Sequence, residues 1–187
     1  MKRILMIVGS LRKKSFNMQL AQYVADMMSD KAEVRILEYS NVPFLNQDYE
    51  FPTPESVQKA RRAVLDADGI WIFTPEYNYQ IPGVLKNLLD WLSRPLVQGD
   101  RQRGSALKDK PVTICGVAGK SAAAGARKNL SALAQSMSMK LVGGVGTGVA
   151  LDSRAWSTDV LSLSEENIRQ LKEQADLFIE SILNNIK

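Results

Sequence analysis

The sequence predicts a three-layer α/β fold in which a five-stranded parallel sheet, of strand order 2-1-3-4-5, lies between two layers of helices. Short apolar runs alternate with segments of helical periodicity along the 187 residues. The run at residues 69–73 is apolar throughout, as expected for a strand that helices cover on both faces. Right-handed crossovers of this length between parallel strands fit this arrangement. An apolar content of 45% is enough for one core, so we expect a single domain over residues 1–187.

The first half of the chain contains three of the predicted strands and two of the helices. The strands are expected over residues 3–8, 33–37 and 69–73. Helices are expected from about residue 15 and over residues 55–67, where apolar residues recur at helical spacing. Residues 40–54 contain three prolines and are predicted to form a loop, which is too long to be an idle connection.

The second half of the chain continues the alternation. Strands are expected over residues 111–117 and 140–145, and residues 94–110 between helix and strand are predicted to be a loop. Helices are expected from Pro82, over residues 122–137 and over residues 165–186, with Ser162 or Ser164 as the cap of the last one. The helix that follows Pro82 is unusually apolar, which we interpret as the sign of a subunit interface.

The composition excludes several classes of function. Cys115 is the single cysteine and the chain has no histidine, so an intrachain disulfide and a His-based triad are excluded and no metal site is expected. The net charge of +4 favours an anionic cofactor over nucleic acid. The apolar run at residues 4–8 is too short for a signal peptide or a membrane span, so we expect a cytoplasmic protein without membrane association.

The loop after the first strand has the composition of a phosphate-binding site. It reads Gly9-Ser10-Leu11-Arg12-Lys13-Lys14-Ser15-Phe16-Asn17 and leads directly into a helix, whose N-terminal N–H groups favour an anion. The side chains of Ser10, Ser15 and Asn17 can bond phosphate oxygens. Arg12 can neutralise the phosphate charge. In the simpler alternative, Ser15 only caps the helix and Arg12 is solvated; we favour the ligand.

The loop after the third strand is a candidate site for a planar ring. It reads Thr74-Pro75-Glu76-Tyr77-Asn78-Tyr79-Gln80-Ile81-Pro82-Gly83. Prolines hold such a backbone rigid, while amides and aromatic rings can face a flat redox cofactor. An ordinary Pro-Tyr turn packed on the core is the alternative for this loop alone. Its predicted position opposite the phosphate-binding loop, at the carboxyl ends of neighbouring strands, favours the cofactor.

The glycine-containing segments do not support other nucleotide sites. The first loop lacks the G-x-G-x-x-G pattern of dinucleotide-binding proteins. Gly119-Lys120-Ser121 resembles the end of a Walker A motif, but the position of that motif's first glycine is Ile114, inside a strand. The glycines within residues 143–148 precede no helix, so we expect close packing or backbone flexibility there.

Several of these segments match a known family in register. They are Gly9-Ser10-Leu11-Arg12, Ser15-Phe16-Asn17, Pro75-Glu76-Tyr77-Asn78, Ile81-Pro82-Gly83-Val84-Leu85-Lys86-Asn87, Asp90-Trp91, Ser93-Arg94-Pro95 and Lys110-Pro111 leading to Gly116. From Arg3 to about Leu151 the sequence resembles the NADPH-dependent FMN reductase family, whose members include quinone, azo-dye and chromate reductases. The resemblance implies a flavodoxin-like fold, bound FMN, and NADPH or NADH as electron donor. It also implies a homodimer or homotetramer, formed through the helix after the second loop.

The resemblance assigns roles to individual residues. It implies that five residues surround the FMN phosphate and ribityl chain: Ser10, Arg12, Ser15, Phe16 and Asn17. It implies that four residues line the isoalloxazine: Pro75, Glu76, Tyr77 and Asn78. Gly119 and Ser121, in the loop after the fourth strand, would close the other edge of the ring. That loop, residues 118–125, is less glycine-rich than the family pattern.

The implied activity is hydride transfer from a nicotinamide through FMN to a small acceptor. A quinone, an azo compound, free flavin and an oxidised metal ion all remain open as acceptors, and so does the choice between NADPH and NADH. Lys13, Lys14, Arg101 and Arg103 are candidate partners of a ribose 2'-phosphate. The alternatives are a flavodoxin-type electron carrier without a nicotinamide site, which the net charge of +4 disfavours, and a binding module that has lost the flavin.

Overall fold

The computed structural model describes residues 1–100 and 102–184. One parallel sheet lies at its centre, with strand order β2-β1-β3-β4-β5 and with β6 paired to β4. The strands are β1 (Lys2–Val8), β2 (Ala32–Ile36), β3 (Gly69–Thr74), β4 (Pro111–Ala118), β5 (Lys140–Leu141) and β6 (Thr147–Ala150). The predicted fold class and strand order are therefore confirmed.

Helices cover both faces of the sheet. They are α1 (Phe16–Met27), α2 (Glu55–Asp66), α3 (Gly83–Leu92), α4 (Ala124–Ser136), α5 (Ser153–Thr158) and α6 (Glu165–Asn184), and a single 3₁₀ turn spans Gln47–Tyr49. Buried residues of α1, α5 and α6 belong to one apolar core, and those of α2 and α3 belong to the other together with Leu130 and Ala134 of α4. Among the described residues, no helix is both long enough and apolar enough to cross a bilayer.

The central strands are apolar throughout because each of their faces has a core to pack against. In β3, Trp71 and Phe73 point into the core of α1 and α6, while Ile70 and Ile72 point into the core of α2 and α3. All four side chains are fully buried. Alternate residues of a strand face opposite sides of the sheet, so a doubly covered strand has no polar face.

The fifth strand differs from the prediction, because the expected strand over residues 140–145 is broken in two. β5 pairs with Pro111 and Val112 of β4, and β6 resumes the pairing further along the same strand. Between them Gly143, Gly144 and Gly146 adopt positive φ angles of 76°, 61° and 63°. A Cβ atom at Gly146 would overlap the carbonyl oxygen of Ile114, so the backbone detour requires glycine there.

The apolar face of α3 is covered within the chain, so its apolar character does not support the interpretation of this helix as a subunit interface. Leu85, Leu88, Leu89 and Leu92 are 0% exposed and Trp91 is 1% exposed. Ala106 and Leu107, from the loop before β4, belong to the same buried core. A helix without an uncovered apolar face gives no evidence of its own for assembly.

The C-terminal part of the chain contains a helix that the sequence analysis missed. α5 follows β6, and Asp152 caps it by accepting a 2.7 Å hydrogen bond from the N–H of Ala155. Ser164, one of the two predicted caps of α6, accepts a 3.1 Å hydrogen bond from the N–H of Asn167. Ser162 instead donates to the Asp152 carboxylate. The predicted end of the last helix, at residue 186, lies outside the described residues.

Candidate functional site

A cavity of about 320 Å³ opens at the carboxyl ends of β1, β3 and β4. Its lining includes most of the predicted site residues: Ser10, Arg12, Ser15, Phe16, Asn17, Pro75, Glu76, Tyr77 and Gly119. Asn78 and Ser121 are not among the lining residues. The structure therefore brings the first loop, the second loop and the start of the loop after β4 around one space, at the edge of the sheet where α/β proteins bind ligands.

The first loop joins β1 to α1 and presents the start of that helix to the cavity. Gly9 N–H donates a 2.7 Å hydrogen bond to the carbonyl oxygen of Phe73, which ties the loop to β3. The hydroxyl of Ser15 caps α1 by accepting from the N–H of Met18, and the hydroxyl of Ser10 accepts from the N–H of Arg12. N–H groups in the first turn of a helix attract an anion, so the loop and helix together suit a phosphate.

Arg12 provides the positive charge of the cavity. Its guanidinium donates a 2.8 Å hydrogen bond to the carbonyl oxygen of Lys14 and lies 5.5 Å from the centroid of the Phe16 ring. It also forms an ion pair with the carboxylate of Asp159. Its side chain is 47% exposed, so it can bind an anion that enters from solvent.

Asn17 is engaged with the sheet. Its amide donates to the carbonyl oxygen of Val117 and accepts from the N–H of Val117, both at 3.0 Å. The residue is 2% exposed. Because this reciprocal pair fastens the first turn of α1 to β4, Asn17 has a structural role beside its predicted one. Its contact with a phosphate stays a prediction.

The second loop turns back sharply beside the cavity. Tyr77 N–H donates to the carbonyl oxygen of Gln80 at 3.3 Å, and Gln80 N–H donates to that of Tyr77 at 3.0 Å. Asn78 and Tyr79 occupy the corner with φ angles of 52° and 62°, typical of a type I' turn. Pro75 and Tyr77 face the cavity, whereas Asn78 lies at the corner and outside the cavity lining.

Glu76 connects the second loop to α4. Its carboxylate accepts from the hydroxyl of Ser121 at 2.6 Å and from the N–H of Ala126 at 2.9 Å. Partial burial raises the pKa of Glu76, but hydrogen bonds from Ser121, Ala126 and Gly125 outweigh that effect and leave the pKa below its ordinary value. Glu76 is therefore held as an anion at the start of a helix, where the helix dipole also favours negative charge.

The loop after β4 adopts a conformation that glycine would adopt more easily. Ala122 and Ala123 have φ angles of 47° and 57°, in the left-handed region. Ala123 is fully buried, and a Cβ atom on Gly116 would approach its Cβ to 2.7 Å. The loop thus has the tight left-handed path expected of a glycine-rich loop, although alanines occupy it.

Two cavity residues were not expected from the sequence: Trp156, which lies on α5, and Asp159, which follows it. Trp156 is 64% exposed and packs edge-on against Phe16, with ring centroids 6.1 Å apart. Asp159 follows the helix and adopts a φ of 59°. The helix has six residues, too few for an apolar period to be visible. The one available signal was Asp152 three residues before Ala155, the spacing of a helix cap.

The predicted partners of a ribose 2'-phosphate do not form one cluster in the described residues. Lys14 Nζ lies 3.9 Å from the Asp159 carboxylate, beside the cavity. Arg103 Nε lies 3.7 Å from the carboxylate of Asp100, in the loop before β4. Lys13 is exposed. Arg101 lies outside the described residues, so its predicted role stays a prediction.

The residues present fit a flat ligand with an anionic tail. Hydroxyls, a guanidinium and a helix N-terminus lie at the side of the cavity formed by the first loop. Apolar lining comes from Phe16, Val117, Leu151 and Trp156. The volume of about 320 Å³ falls within the usual range of small-molecule sites, about 300 to 1,000 Å³. An FMN phosphate suits the cationic side, and an isoalloxazine suits the apolar lining beside Pro75 and Tyr77.

Comparison with known proteins finds relatives that are named for quinone reduction. A 2-hydroxy-1,4-benzoquinone reductase of Burkholderia sp is 44% identical over 93 residues, which are 50% of this chain and 51% of the relative. A quinone reductase of Pseudomonas putida is 34% identical over 115 residues, 61% of this chain and 59% of the relative. The matches therefore span about half to three fifths of these relatives.

A solved structure extends the likeness to nearly the whole chain. The flavoenzyme NAD(P)H:(acceptor) oxidoreductase FerB from Paracoccus denitrificans superposes with a TM-score of 0.85 at 27% identity, covering 98% of each chain. The sequence model of one family, described as NADPH-dependent FMN reductase, matches residues 2–152. This chain belongs to the NADPH-dependent FMN reductase family.

Proposed function

We propose that the chain, as one domain, is an NAD(P)H-dependent oxidoreductase that uses FMN to reduce a small acceptor. The observation that carries this proposal is the cavity that joins the first loop to the second loop at the carboxyl ends of β1 and β3. The start of α1 with Arg12 suits the phosphate of FMN, and the second loop with Pro75 and Tyr77 suits its ring. Membership of the NADPH-dependent FMN reductase family supports the same cofactor.

The residues of the chain would divide the work of binding. Ser10, Ser15 and Arg12 would hold the phosphate at the start of α1. Pro75 and Tyr77 would lie against the ring, with the second loop kept in place by Glu76. Bound FMN supplies the redox chemistry, taking a hydride from the nicotinamide and passing two electrons to the acceptor. No side chain has to act as a nucleophile, so the role of the protein would be to bind the cofactor and to position the donor and the acceptor.

A quinone is the acceptor class that we propose to test first, because two relatives are named for quinone reduction. Azo compounds, free flavin and oxidised metal ions belong in the same screen. Donor and acceptor would enter this cavity in turn, since both have to reach the same bound cofactor. Ping-pong kinetics are the expected result.

The decisive experiment is the visible absorption spectrum of the FMN-reconstituted protein under anaerobic conditions, before and after NADPH is added. Flavin bands that bleach with NADPH are the expected result, and quinone should then restore them. Bands that persist with NADPH would instead support the flavodoxin-type electron carrier. Absence of flavin uptake would overturn the proposed function.

NADPH is the donor that we propose over NADH, because the first loop carries two exposed lysines. Lys13 and Lys14 are exposed beside the cavity, and Arg103 lies in the loop before β4. A ribose 2'-phosphate distinguishes the two donors and would bind such cations. The double change Arg101→Ala and Arg103→Ala should lower the preference for NADPH, and an unchanged ratio of kcat/KM for the two donors would contradict that role.

We also propose that the protein assembles as a homodimer or homotetramer. Two exposed aromatic residues support this, since Phe44 is 87% exposed and Tyr49 is 67% exposed. Both lie in the segment between β2 and α2, which the ion pair between Glu50 and Arg94 holds in place at 2.8 Å. Aromatic side chains fixed on a rigid surface are typical of subunit interfaces.

A further inference from the structure

Asp159 places a carboxylate in the cavity, on the side where the proposed function puts the cofactor phosphate. Its carboxylate forms an ion pair with the guanidinium of Arg12. Its other oxygen lies 3.9 Å from Nζ of Lys14. Both Arg12 and Asp159 line the cavity. The two cations best placed for a phosphate therefore already face an anion of the chain itself.

The backbone of Asp159 is fixed against α1. Gln19 donates a 2.9 Å hydrogen bond to the carbonyl oxygen of Asp159 and accepts one of 2.8 Å from the N–H of Leu161. The N–H of Asp159 donates to the carbonyl oxygen of Ala155 at 2.9 Å, which closes α5. Because the backbone of Asp159 is held on both sides, the ion pair can open by rotation of the Asp159 side chain or of the exposed Arg12 side chain.

The ion pair is weak enough for a ligand to break. The side chains of Arg12 and Asp159 are 47% and 36% exposed, and pairs with that degree of exposure are screened by solvent. A phosphomonoester carries close to two negative charges at neutral pH and can accept two hydrogen bonds from one guanidinium. The phosphate should therefore displace Asp159 from Arg12. The competition lowers the affinity of the site for FMN.

We propose that Asp159 is a specificity-determining residue of the cofactor site. Its carboxylate competes with the phosphate of FMN for Arg12, and so lowers the affinity for the phosphorylated flavin while leaving the affinity for riboflavin unchanged. The inference rests on the proposed function, because it takes FMN as the ligand. It gives a direct influence on cofactor binding to Asp159, which follows α5 and lies outside the family motifs of the first two loops.

The test is equilibrium binding of FMN and of riboflavin to flavin-stripped protein, followed by flavin fluorescence. Asp159→Asn removes the charge, keeps the size of the side chain and tolerates the left-handed backbone. Asp176→Asn is the matched control, because Asp176 lies on α6, away from the cavity residues, and is likewise paired with a cation, Lys31. We expect Asp159→Asn to bind FMN about three- to fivefold more tightly, with riboflavin unchanged and with both ligands unchanged in the control.

A second variant shows whether the effect passes through Arg12. In an Arg12→Ala background, the gain in FMN affinity from Asp159→Asn should fall by more than half, because only the longer contact of Asp159 with Lys14 and its repulsion of the phosphate remain. A gain that persists at full size there, or weaker FMN binding by Asp159→Asn, would overturn the inference. Equal FMN affinity in the wild type and Asp159→Asn would overturn the inference alone. Failure of the wild type to bind either flavin would overturn the proposed function with it.

Discussion

Several polar side chains of the candidate site also hold the chain together. Asn17 fastens α1 to β4 through Val117, and Glu76 fastens the second loop to the start of α4. A side chain that is fixed in this way keeps the loop beside it in one conformation before any ligand enters. Asn17 and Glu76 therefore have an architectural role in addition to the binding role that we propose for their loops.

Arg12 is the residue whose removal should most weaken FMN binding. Arg12→Ala should weaken FMN binding by about 1.5 to 3 kcal/mol, which raises the Kd roughly 10- to 150-fold. The reason is that the phosphate loses a charged hydrogen-bond donor. Riboflavin should bind as before. Fluorescence titration measures both. The control is Arg62→Ala, which removes an exposed arginine of α2 and should change neither value. An unaltered FMN affinity in Arg12→Ala would contradict the proposal that Arg12 binds the phosphate.

Glu76 should make part of the stability dependent on acid pH. Its pKa lies below the ordinary value of 4.5, so the hydrogen-bonded carboxylate stabilises the fold above that pH and the contribution is lost as pH falls through the lowered value. Glu76→Gln should cost about 0.5 to 1 kcal/mol at pH 7, as for a weakened helix cap. The cost should shrink toward zero in strongly acid solution.

Urea unfolding of the wild type and Glu76→Gln at several pH values measures this difference. Glu180→Gln, on the exposed side of α6, serves as the control and should leave the free energy of unfolding unchanged at every pH. A cost of Glu76→Gln that stayed constant from neutral to acid pH would mean that the charge of Glu76 does not contribute.

At the level of single elements, the break between β5 and β6 shows how glycines determine the path of an edge strand. Gly143, Gly144 and Gly146 carry the chain outward and back. Arg127 fills the bend and donates hydrogen bonds to the carbonyl oxygens of Val145 and Gly146. The bend lets β6 pair again with β4, and α5 follows it into the candidate site.

Two of these glycines, Gly144 and Gly146, should differ in how much stability the chain loses when each is replaced by alanine. Gly144 has a φ of 61° and no atom within 4 Å of an added Cβ, so Gly144→Ala should cost only the left-handed backbone term, about 1 kcal/mol. Gly146 has a φ of 63° and an added Cβ would overlap the backbone of Ile114. Gly146→Ala should therefore cost about 3 kcal/mol or more.

Chemical denaturation of both variants, followed by circular dichroism, tests the difference. Because the two substitutions share residue type, backbone region and loop, each serves as the control for the other. Equal destabilisation would show that the loop relaxes away from Ile114 and that glycine is not required at residue 146.

At the scale of the whole molecule, the two apolar cores lie on either side of the sheet, and several large apolar side chains of the described residues stay exposed outside them. Phe44 and Tyr49 are two of those that remain exposed, and the loop that carries them is anchored to α3. Pro43 accepts hydrogen bonds of 2.9 Å from Asn87 and 2.8 Å from Trp91. This loop beside α3 is the surface that we propose for assembly, while the apolar face of α3 itself is buried.

Sedimentation velocity over a range of concentrations should show a dimer or a tetramer. The double change Phe44→Ser and Tyr49→Ser should shift the protein toward the monomer, because it removes both aromatic side chains from the proposed interface. Leu65→Ser is the control: this residue is 47% exposed on α2 and should leave the distribution unchanged. A wild-type protein that sediments as a monomer at every concentration would contradict the proposed assembly.

The sequence was sufficient for the features that depend on local pattern. Apolar runs such as residues 69–73 gave the strands, helical spacing gave α1, α2 and α6, and the order of the elements gave the parallel sheet. The motifs around Arg12 and Glu76 lie directly after strands. Parallel strands bring their carboxyl ends to one edge, so these motifs were expected to meet there, and they line one cavity.

Other features required the folded chain, because they depend on contacts between residues far apart in sequence. The apolar residues of α3 are buried in a core that they share with Ala106 and Leu107, and the bend that breaks the fifth strand brings Gly146 against the carbonyl oxygen of Ile114 on β4. The ion pair of Arg12 with Asp159 joins residues 147 positions apart. No local pattern encodes such a pair, since its formation depends on where β6 and α5 direct the chain after the sheet is complete.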